Sequence, residues 1–431
     1  MSFNLKTQIQ PPVIIIGLAR SGLAAKALLL ASGFQEKDIL TFDENKAEAQ
    51  YRTETDLETL TSVKTAIVSP GVSLQKNFIK KWRAQGVHIT SEINLALSQI
   101  TSEKIIGITG SLGKSTTTSI IGAGIKSFDP NVFVGGNLGI PVCEYALSIH
   151  KDPSLRARWM VLELSSYQLE NADQLEVDYG LITFLSPNHL ERYTSLDQYY
   201  ETKWALLNKT KSTLFLNKNG GDLVAFSKNK NSSQIRWVHK DDPVIQSLEL
   251  KSAALIGQHN QDNLAMAAIL GKDCGFPESY FTSIKNFRGL KHRLENLGLK
   301  KSIVFINDSK ATTIDSVKAA VEATKESFPK LTIYLLLGGR DKKLPWHELK
   351  DLTQDSQIKL FFFGEHGPSI KHTLSSPAPL FQTLALLLQN LSPENLEIDS
   401  VVLLSPGGVS QDEFSSFEAR GDFFHYWVDR Y

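Results

Sequence analysis

Cysteine is nearly absent from this chain: two residues, Cys143 and Cys274, in 431. They lie far apart and lack metal-ligand spacing, which argues against a disulfide framework and suits a reducing compartment. Excess charge is absent as well. Lys+Arg and Asp+Glu number 46 each, so no global field gathers nucleic acid or anionic lipid, although local anion sites stay open. No apolar run approaches the ~20 residues that a membrane span needs. The first twelve residues contain no basic stretch leading into an apolar one. These absences lead us to expect a cytoplasmic protein without nucleic-acid partners or membrane insertion.

What is present is the composition of an ordinary globular protein, 42% hydrophobic and 21% charged, long enough for two or three domains. Val13–Ile16, Gly17-Leu18-Ala19-Arg20-Ser21-Gly22 and an apolar helical run to Ala31 read as strand, glycine turn and helix, the start of a nucleotide-binding βαβ unit. Ile39–Phe42 follows as a strand ending at Asp43, and Ala66–Val68 ends at the turn Ser69-Pro70-Gly71. The glycine pattern is incomplete, since Ala19 stands where the middle glycine belongs. A second segment begins near residue 99, with strands at 104–109, 159–164 and 181–185. Residues 210–255 read as hairpin-like pieces. A third begins near Lys291, with strands at 303–306, 332–337, 360–363 and 401–404. Strands alternating with helices mean mainly parallel sheets. We therefore expect an α/β protein of three domains, 1–98, 99–290 and 291–431.

One stretch carries chemistry on its face. Gly107-Ile108-Thr109-Gly110-Ser111-Leu112-Gly113-Lys114-Ser115-Thr116 resembles a phosphate-binding loop, but a regular one places four residues between its first glycine and Gly-Lys-[Ser/Thr]. Here the position that should hold the first glycine, counted back from Gly113, is Ile108. A strand before and a Ser/Thr-rich helix after still suit a phosphate cradle: backbone N–H groups of Gly110, Ser111, Gly113 and Thr116 around the anion, Lys114 bridging phosphates, Ser115 offering a hydroxyl to Mg²⁺. Glu163 lies inside an apolar strand, where an unpaired carboxylate is costly to bury. Beside a phosphate loop it reads as an Mg²⁺ ligand, with a structural salt bridge as the plain alternative.

The shortened loop resembles that of the Mur ligases and their folylpolyglutamate synthetase relatives, ATP-driven enzymes that form amide bonds. Leu162-Glu163-Leu164-Ser165-Ser166-Tyr167-Gln168-Leu169-Glu170, Asn307-Asp308-Ser309-Lys310-Ala311-Thr312 and Leu404-Ser405-Pro406, with Phe414, Phe417-Glu418 and Arg420-Gly421, are similar to the D-glutamate-adding Mur ligases. These matches run from residue 13 to 424 in the family's order. The resemblance implies a Rossmann-like UDP-binding domain, a central ATP-binding domain of P-loop type and a Rossmann-like C-terminal domain. It implies UDP-N-acetylmuramoyl-L-alanine and D-glutamate as substrates, ATP, two Mg²⁺ sites and a monomer.

Carried over by residue, one Mg²⁺ would use Ser115 and Glu163, and a second His189 and Lys203. The lysine is carbamylated by CO₂ in this family; without the resemblance, Lys203 would read as a surface helix lysine. Asn260 and Asn263 would lie near adenine, Asp308 at the ribose, and Arg293 at phosphate, in an ATP site that domain closure completes. Arg20, Ser21, Asp43, Ser69 and Asn137 would serve the UDP-substrate, with pyrophosphate at the Arg20-Ser21-Gly22 helix start. Lys310, Thr312, Lys342, Ser410 and the backbone near Phe417 would hold D-glutamate. The chain departs from the family at Leu112, where asparagine is usual, at Asn188, where many relatives have aspartate, and at Gly407-Gly408-Val409, where Ala/Cys residues are more common. None of these removes a group that the chemistry needs. Three other readings stand beside this one: a folate-extending ligase, disfavoured by the N-terminal Rossmann-like unit; a bare nucleotide switch; and a dehydrogenase built on residues 13–43, which leaves the loop unexplained.

Overall fold

The computed structural model describes residues 9–188, 192–230, 232–248, 255–391 and 395–431. Three sheets follow one another along the chain. The first holds β1 (Val13–Ile16), β2 (Ile39–Phe42), β3 (Thr65–Val68) and β4 (His88–Thr90), all parallel, in the order β2-β1-β3-β4. The four consecutive apolar residues of β1 are explained by burial on both faces. Val13 and Ile15 join Ala25, Leu28 and Leu29 of the helix Arg20–Ala31 on one side, while Ile14 and Ile16 join Phe78, Ile79 and Trp82 of the helix Asn77–Ala84 on the other. Helices on both faces make this a doubly wound sheet.

The second sheet holds β5 (Lys104–Thr109), β6 (Phe133–Gly136), β7 (Trp159–Glu163), β8 (Val177–Ile182), β9 (Thr210–Asn217) and β10 (Ile235–Val238), in the order β10-β9-β8-β5-β7-β6. Every pair in it is parallel. This corrects the hairpin reading of residues 210–255: the Asn219-Gly220-Gly221 turn leads into a short helix, Leu223–Ser227, and the chain returns to start β10 alongside β9. Turn residues alone do not distinguish a hairpin from a crossover. β8 also begins four residues earlier than expected, where Asp178 accepts the backbone N–H of Ile105 at 2.7 Å.

The third sheet holds β11 (Glu295–Lys300), β12 (Ile303–Asn307), β13 (Thr332–Gly338), β14 (Ile358–Phe363), β15 (Leu380–Phe381) and β16 (Ser400–Gly407), in the order β11-β12-β16-β13-β14-β15. β11, which the sequence reading omits, is antiparallel to β12 through a turn with Lys301 and Ser302 at φ 49° and 63°. The other pairs are parallel, so the strand-end loops that carry candidate residues gather at one edge.

By internal contacts the chain divides into two compact units, residues 1–249 with 262–284 and residues 250–261 with 285–431. The first two sheets share one unit, and the third has its own. Among the described residues no helix is long and apolar enough to cross a membrane.

Candidate active site

In the first unit the loop after β5 is built from backbone. Gly110 takes φ 149°, and a Cβ there would stand 2.2 Å from Thr183 Oγ1 and 3.0 Å from the Phe184 nitrogen. Only glycine fits. Gly113 takes φ 81° and N-caps the helix Lys114–Lys126, so no side chain occupies the positive end of that helix dipole. Ser111 N–H donates to Phe184 O at 2.7 Å, Ser111 Oγ donates to Ser186 O at 3.0 Å, and Thr183 Oγ1 donates to Leu112 O at 2.5 Å. Leu112 meanwhile points its side chain to solvent, 57% exposed. The loop therefore keeps its shape with leucine at that position, because its carbonyl makes the contact.

Lys114 folds its ammonium back onto the loop, donating to Gly110 O at 2.8 Å and Ser111 O at 3.1 Å. Lys203, from the helix Leu196–Trp204, donates to the same Gly110 carbonyl at 2.9 Å and lies over the Tyr199 ring at 4.7 Å. Contrary to the reading of its helix alone, Lys203 is buried, at 2% exposure. Burial, and next the neighbouring Lys114 charge, hold its amine well below the ordinary lysine range, while Glu163 opposes them.

Glu163 closes β7, and its strand neighbour across the ladder is Ile108 in β5, at the entrance to the loop. One carboxylate oxygen, Oε1, accepts the Asn137 amide at 2.7 Å, and the Glu163 carbonyl accepts the Asn137 N–H at 2.8 Å. The other oxygen, Oε2, is buried without a hydrogen-bond partner. A buried orphan oxygen on a carboxylate is expensive unless a cation completes it. Ser115, also buried, stands in the first turn of the loop helix. The residues present therefore fit a Mg²⁺ ion, which takes one or two protein oxygens and fills its other positions with phosphate and water. Asn263 packs on the loop, its Oδ1 2.6 Å from where a Cβ on Gly113 would lie. His189 lies outside the described residues.

All five residues expected to serve the UDP-substrate line one cleft of about 580 Å³: Arg20, Ser21, Asp43, Ser69 and Asn137. Ala19 offers the helix Arg20–Ala31 no side-chain cap, leaving its positive end toward that cleft. Asp43 accepts the N–H groups of Leu18 and Asn45 at 2.7 and 2.9 Å. Burial works against its ionised form, but these bonds outweigh it and hold the carboxyl below its ordinary range. Ser69 Oγ donates to Gly17 O at 2.9 Å, and Arg20 pairs with Glu144 while donating to Gly139 O. Asn137 thus belongs to both places, lining the cleft and holding Glu163.

Arg192 also belongs to this unit, and the sequence reading passed over it. It donates to Pro70 O at 2.9 Å and Val72 O at 3.3 Å, pairs with Glu170 at 2.8 Å and stacks on Tyr167 at 3.9 Å.

In the second unit, Asp308 is buried at the end of β12, with Oδ1 accepting Leu294 N–H at 3.1 Å and Oδ2 accepting Ser405 Oγ at 2.9 Å. Burial pushes its carboxyl up to about 7, with Ser405, Leu294 and Arg293 opposing. Arg293 is half-buried, and Asn260 donates its amide to Ile256 O at 2.8 Å. Lys310 places its ammonium 4.8 Å from the Phe417 ring, and Ser309 Oγ donates to Phe417 O at 2.8 Å. Thr312 is half-buried and Lys342 exposed. Ser410 Oγ is buried and has no hydrogen-bond partner.

Two further residues hold this edge together: His292, whose Nδ1 meets the Asn307 amide at 3.1 Å, and Arg420. A signal for Arg420 existed. Arg420, Phe424 and Val428 recur every four residues on the buried stripe of the helix Phe417–Arg430, an unusual place for an arginine.

Known proteins resemble this chain along most of its length. The Mur ligase middle domain family matches residues 108–271. UDP-N-acetylmuramoylalanine–D-glutamate ligase of Buchnera aphidicola subsp. Schizaphis graminum is 31% identical over 443 residues, covering 96% of each chain. The ligase of the same name from Koribacter versatilis is 29% identical, again over 96% of each. Among solved structures, the MurF ligase from Thermotoga maritima in complex with ADP has a similar fold, with a TM-score of 0.56 at 14% identity, covering 99% of this chain and 97% of that one.

Proposed function

The chain belongs to the Mur ligase family, and we propose that it joins D-glutamate to UDP-N-acetylmuramoyl-L-alanine at the expense of ATP. The observation that carries this reading lies in the first unit: a backbone-built phosphate loop, a buried Glu163 oxygen without a partner on the adjacent strand, and Lys203 against the loop carbonyl.

A carboxylate does not react with an amine at neutral pH, because oxide is too poor a leaving group. In the proposed reaction the acceptor's carboxylate attacks the γ-phosphorus of ATP, giving an acyl phosphate and ADP. The D-glutamate nitrogen, once deprotonated, attacks the acyl carbon, and the tetrahedral intermediate expels phosphate. The obstacle is electrostatic, since an anion must approach a polyanion. Lys114 would leave its loop carbonyls for the phosphates. Ser115 and Glu163 would hold Mg²⁺, with His189 and Lys203 assigned to a second ion. Bound there, the metal supplies positive charge against which phosphate oxygens and the attacking carboxylate can meet. Asn260, Asn263, Arg293 and Asp308 keep their proposed roles toward adenine, phosphate and ribose.

Lys203 is proposed to act as its carbamate: the neutral amine adds CO₂ and loses a proton, turning a cation into an oxygen ligand. Burial that favours the uncharged amine supports this. The cleft lined by Arg20, Ser21, Asp43, Ser69 and Asn137 is proposed to take the UDP end, with pyrophosphate at the helix start. Lys310, Thr312, Lys342, Ser410 and the Phe417 backbone are proposed for D-glutamate.

Phosphate release in the presence of UDP-N-acetylmuramoyl-L-alanine, ATP and Mg²⁺ tests this reading. Release should require the acceptor and be fastest with D-glutamate, far above L-glutamate. Equal ATP hydrolysis without acceptor or amino acid would leave only a bare nucleotide hydrolase.

A further inference from the structure

Arg420 is fully buried, yet each hydrogen bond it makes is to a neutral atom: Ser309 Oγ at 3.0 Å, Ser309 O at 2.8 Å and Gly408 O at 3.1 Å. A guanidinium taken out of water normally has a carboxylate on its fork. Two acids, Asp412 and Glu413, act on it through space. Their own oxygens are given to backbone, Asp412 to Glu365 N–H and Glu413 to Leu384 and Ala385 N–H. Burial is the larger effect and pulls the guanidinium down to about 10.

The position matters as much as the charge. Arg420 binds the loop after β12 through Ser309 and the loop after β16 through Gly408, and a Cβ on Gly339, after β13, would lie 3.0 Å from its Nη1. Three strand-end loops thus meet around one under-compensated cation, at the edge where parallel sheets bind ligands. A second observation points to an anionic ligand there. Ser410, two residues beyond Gly408, buries its hydroxyl at 1% exposure without a partner. A hydroxyl donor left idle beside a positive field is what an incoming carboxylate would complete.

We infer that Arg420 is a positioning and specificity-determining residue, whose buried charge makes this edge select an amino acid carrying two carboxylates. This deepens the proposed function, since it takes the second unit as the amino-acid site. Arg420 does not touch the amino acid. It holds Ser309, and through it the Phe417 carbonyl, while its field attracts the second carboxylate.

The test uses the full-length enzyme, with Arg420→Met, Arg420→Lys and Asp412→Asn. Arg420→Met should raise KM for D-glutamate about tenfold, what ~1.4 kcal/mol produces, with kcat and the KM values for ATP and acceptor near wild type. Arg420→Lys, which keeps the charge but cannot reproduce the fork, should recover most of that loss. Asp412→Asn removes an opposing anion and should lower KM for D-glutamate. It remains informative where Arg420→Met fails to fold. An Arg420→Lys enzyme as impaired as Arg420→Met would reduce Arg420 to a loop tie. An unchanged or raised KM in Asp412→Asn would remove the field. If wild-type enzyme releases no phosphate in response to D-glutamate, the functional reading fails instead, and the variants are not needed to show it.

Discussion

Replacing Arg192 by methionine removes a guanidinium that ties the turn Ser69–Val72, part of the wall of the cleft, to Glu170 and Tyr167. The side chain is 10% exposed and that of Glu170 is 19% exposed, so solvent screens the pair little but not negligibly. Breaking it costs about 1–2 kcal/mol after allowing for the water Glu170 regains. The stack on Tyr167 adds about 1 kcal/mol. Leaving Pro70 O and Val72 O without their donor adds about 1 kcal/mol. Methionine keeps the apolar stem in place, and these terms are not additive, so the total is about 3 kcal/mol. If one to two-thirds of it is expressed as loss of the bound shape of the turn, KM for the UDP-linked acceptor rises about 5- to 30-fold. Steady-state phosphate release at saturating ATP and D-glutamate gives that KM, and a thermal melt run alongside reports the fold. The loop after β5 is held by Thr183, Phe184 and Ser186 rather than by Arg192. KM for ATP should therefore stay within about twofold. A folded Arg192→Met enzyme with unchanged acceptor KM, or with ATP and acceptor KM raised alike, would refute the reasoning.

Lys203→Ala should lose most activity and regain part of it with short carboxylates that fill the vacated ligand position; full wild-type activity in CO₂-depleted buffer, with an unmodified lysine by mass, would count against the carbamate. Lys342→Ala should cost about 10- to 150-fold, the worth of a charge-assisted hydrogen bond of ~1.5–3 kcal/mol, mainly as a raised KM for D-glutamate. The same loss in Lys343→Ala alone would mean a register one residue off. Glu92, buried with its carboxyl accepting Cys143 N–H, is raised to about 7, chiefly by burial. Its folded pKa lies above its unfolded one, so the stability it contributes is complete below the ordinary carboxyl pKa and is lost as pH rises toward 7. Glu92→Gln should flatten the fall in unfolding free energy between pH 4.5 and 7 by up to about 3 kcal/mol, read by denaturant titration at several pH values. Asp308, raised to about 7 by the same cause, should keep part of the slope.

Local pattern was enough for most of the architecture. Runs such as Val13–Ile16 and Ile105–Ile108 read as buried strands, and the structure has them so. The shortened loop and its lysine stood out as candidates because they form one contiguous stretch, and Glu163 because a carboxylate interrupts an apolar strand. Strand direction was legible where helices alternate with strands, but not in residues 210–255. Residues 210–238 hold turn signals that suit a hairpin, and only packing of β9 between β8 and β10 makes them parallel.

Burial of charge was equally hidden. Lys203 sits on a helix whose sequence looks exposed, and it is buried because Gly110 O and the Tyr199 ring, 93 and 4 residues away in sequence, close over it. Asn137 reads only as a substrate contact in the sequence, and its second partner, Glu163, appears once β6 lies beside β7. Arg192 carries no motif of its own, and Arg420-Gly421 carries the family resemblance without showing that the arginine is buried. Their partners, Pro70 and Val72 for one, Ser309 and Gly408 for the other, lie 122 and 120, then 111 and 12 residues away. Sequence determines which groups can donate, accept or carry charge. The tertiary structure decides which of them lose water together, and that loss turns an ordinary side chain into an amine of lowered pKa, an orphan oxygen or a buried cation.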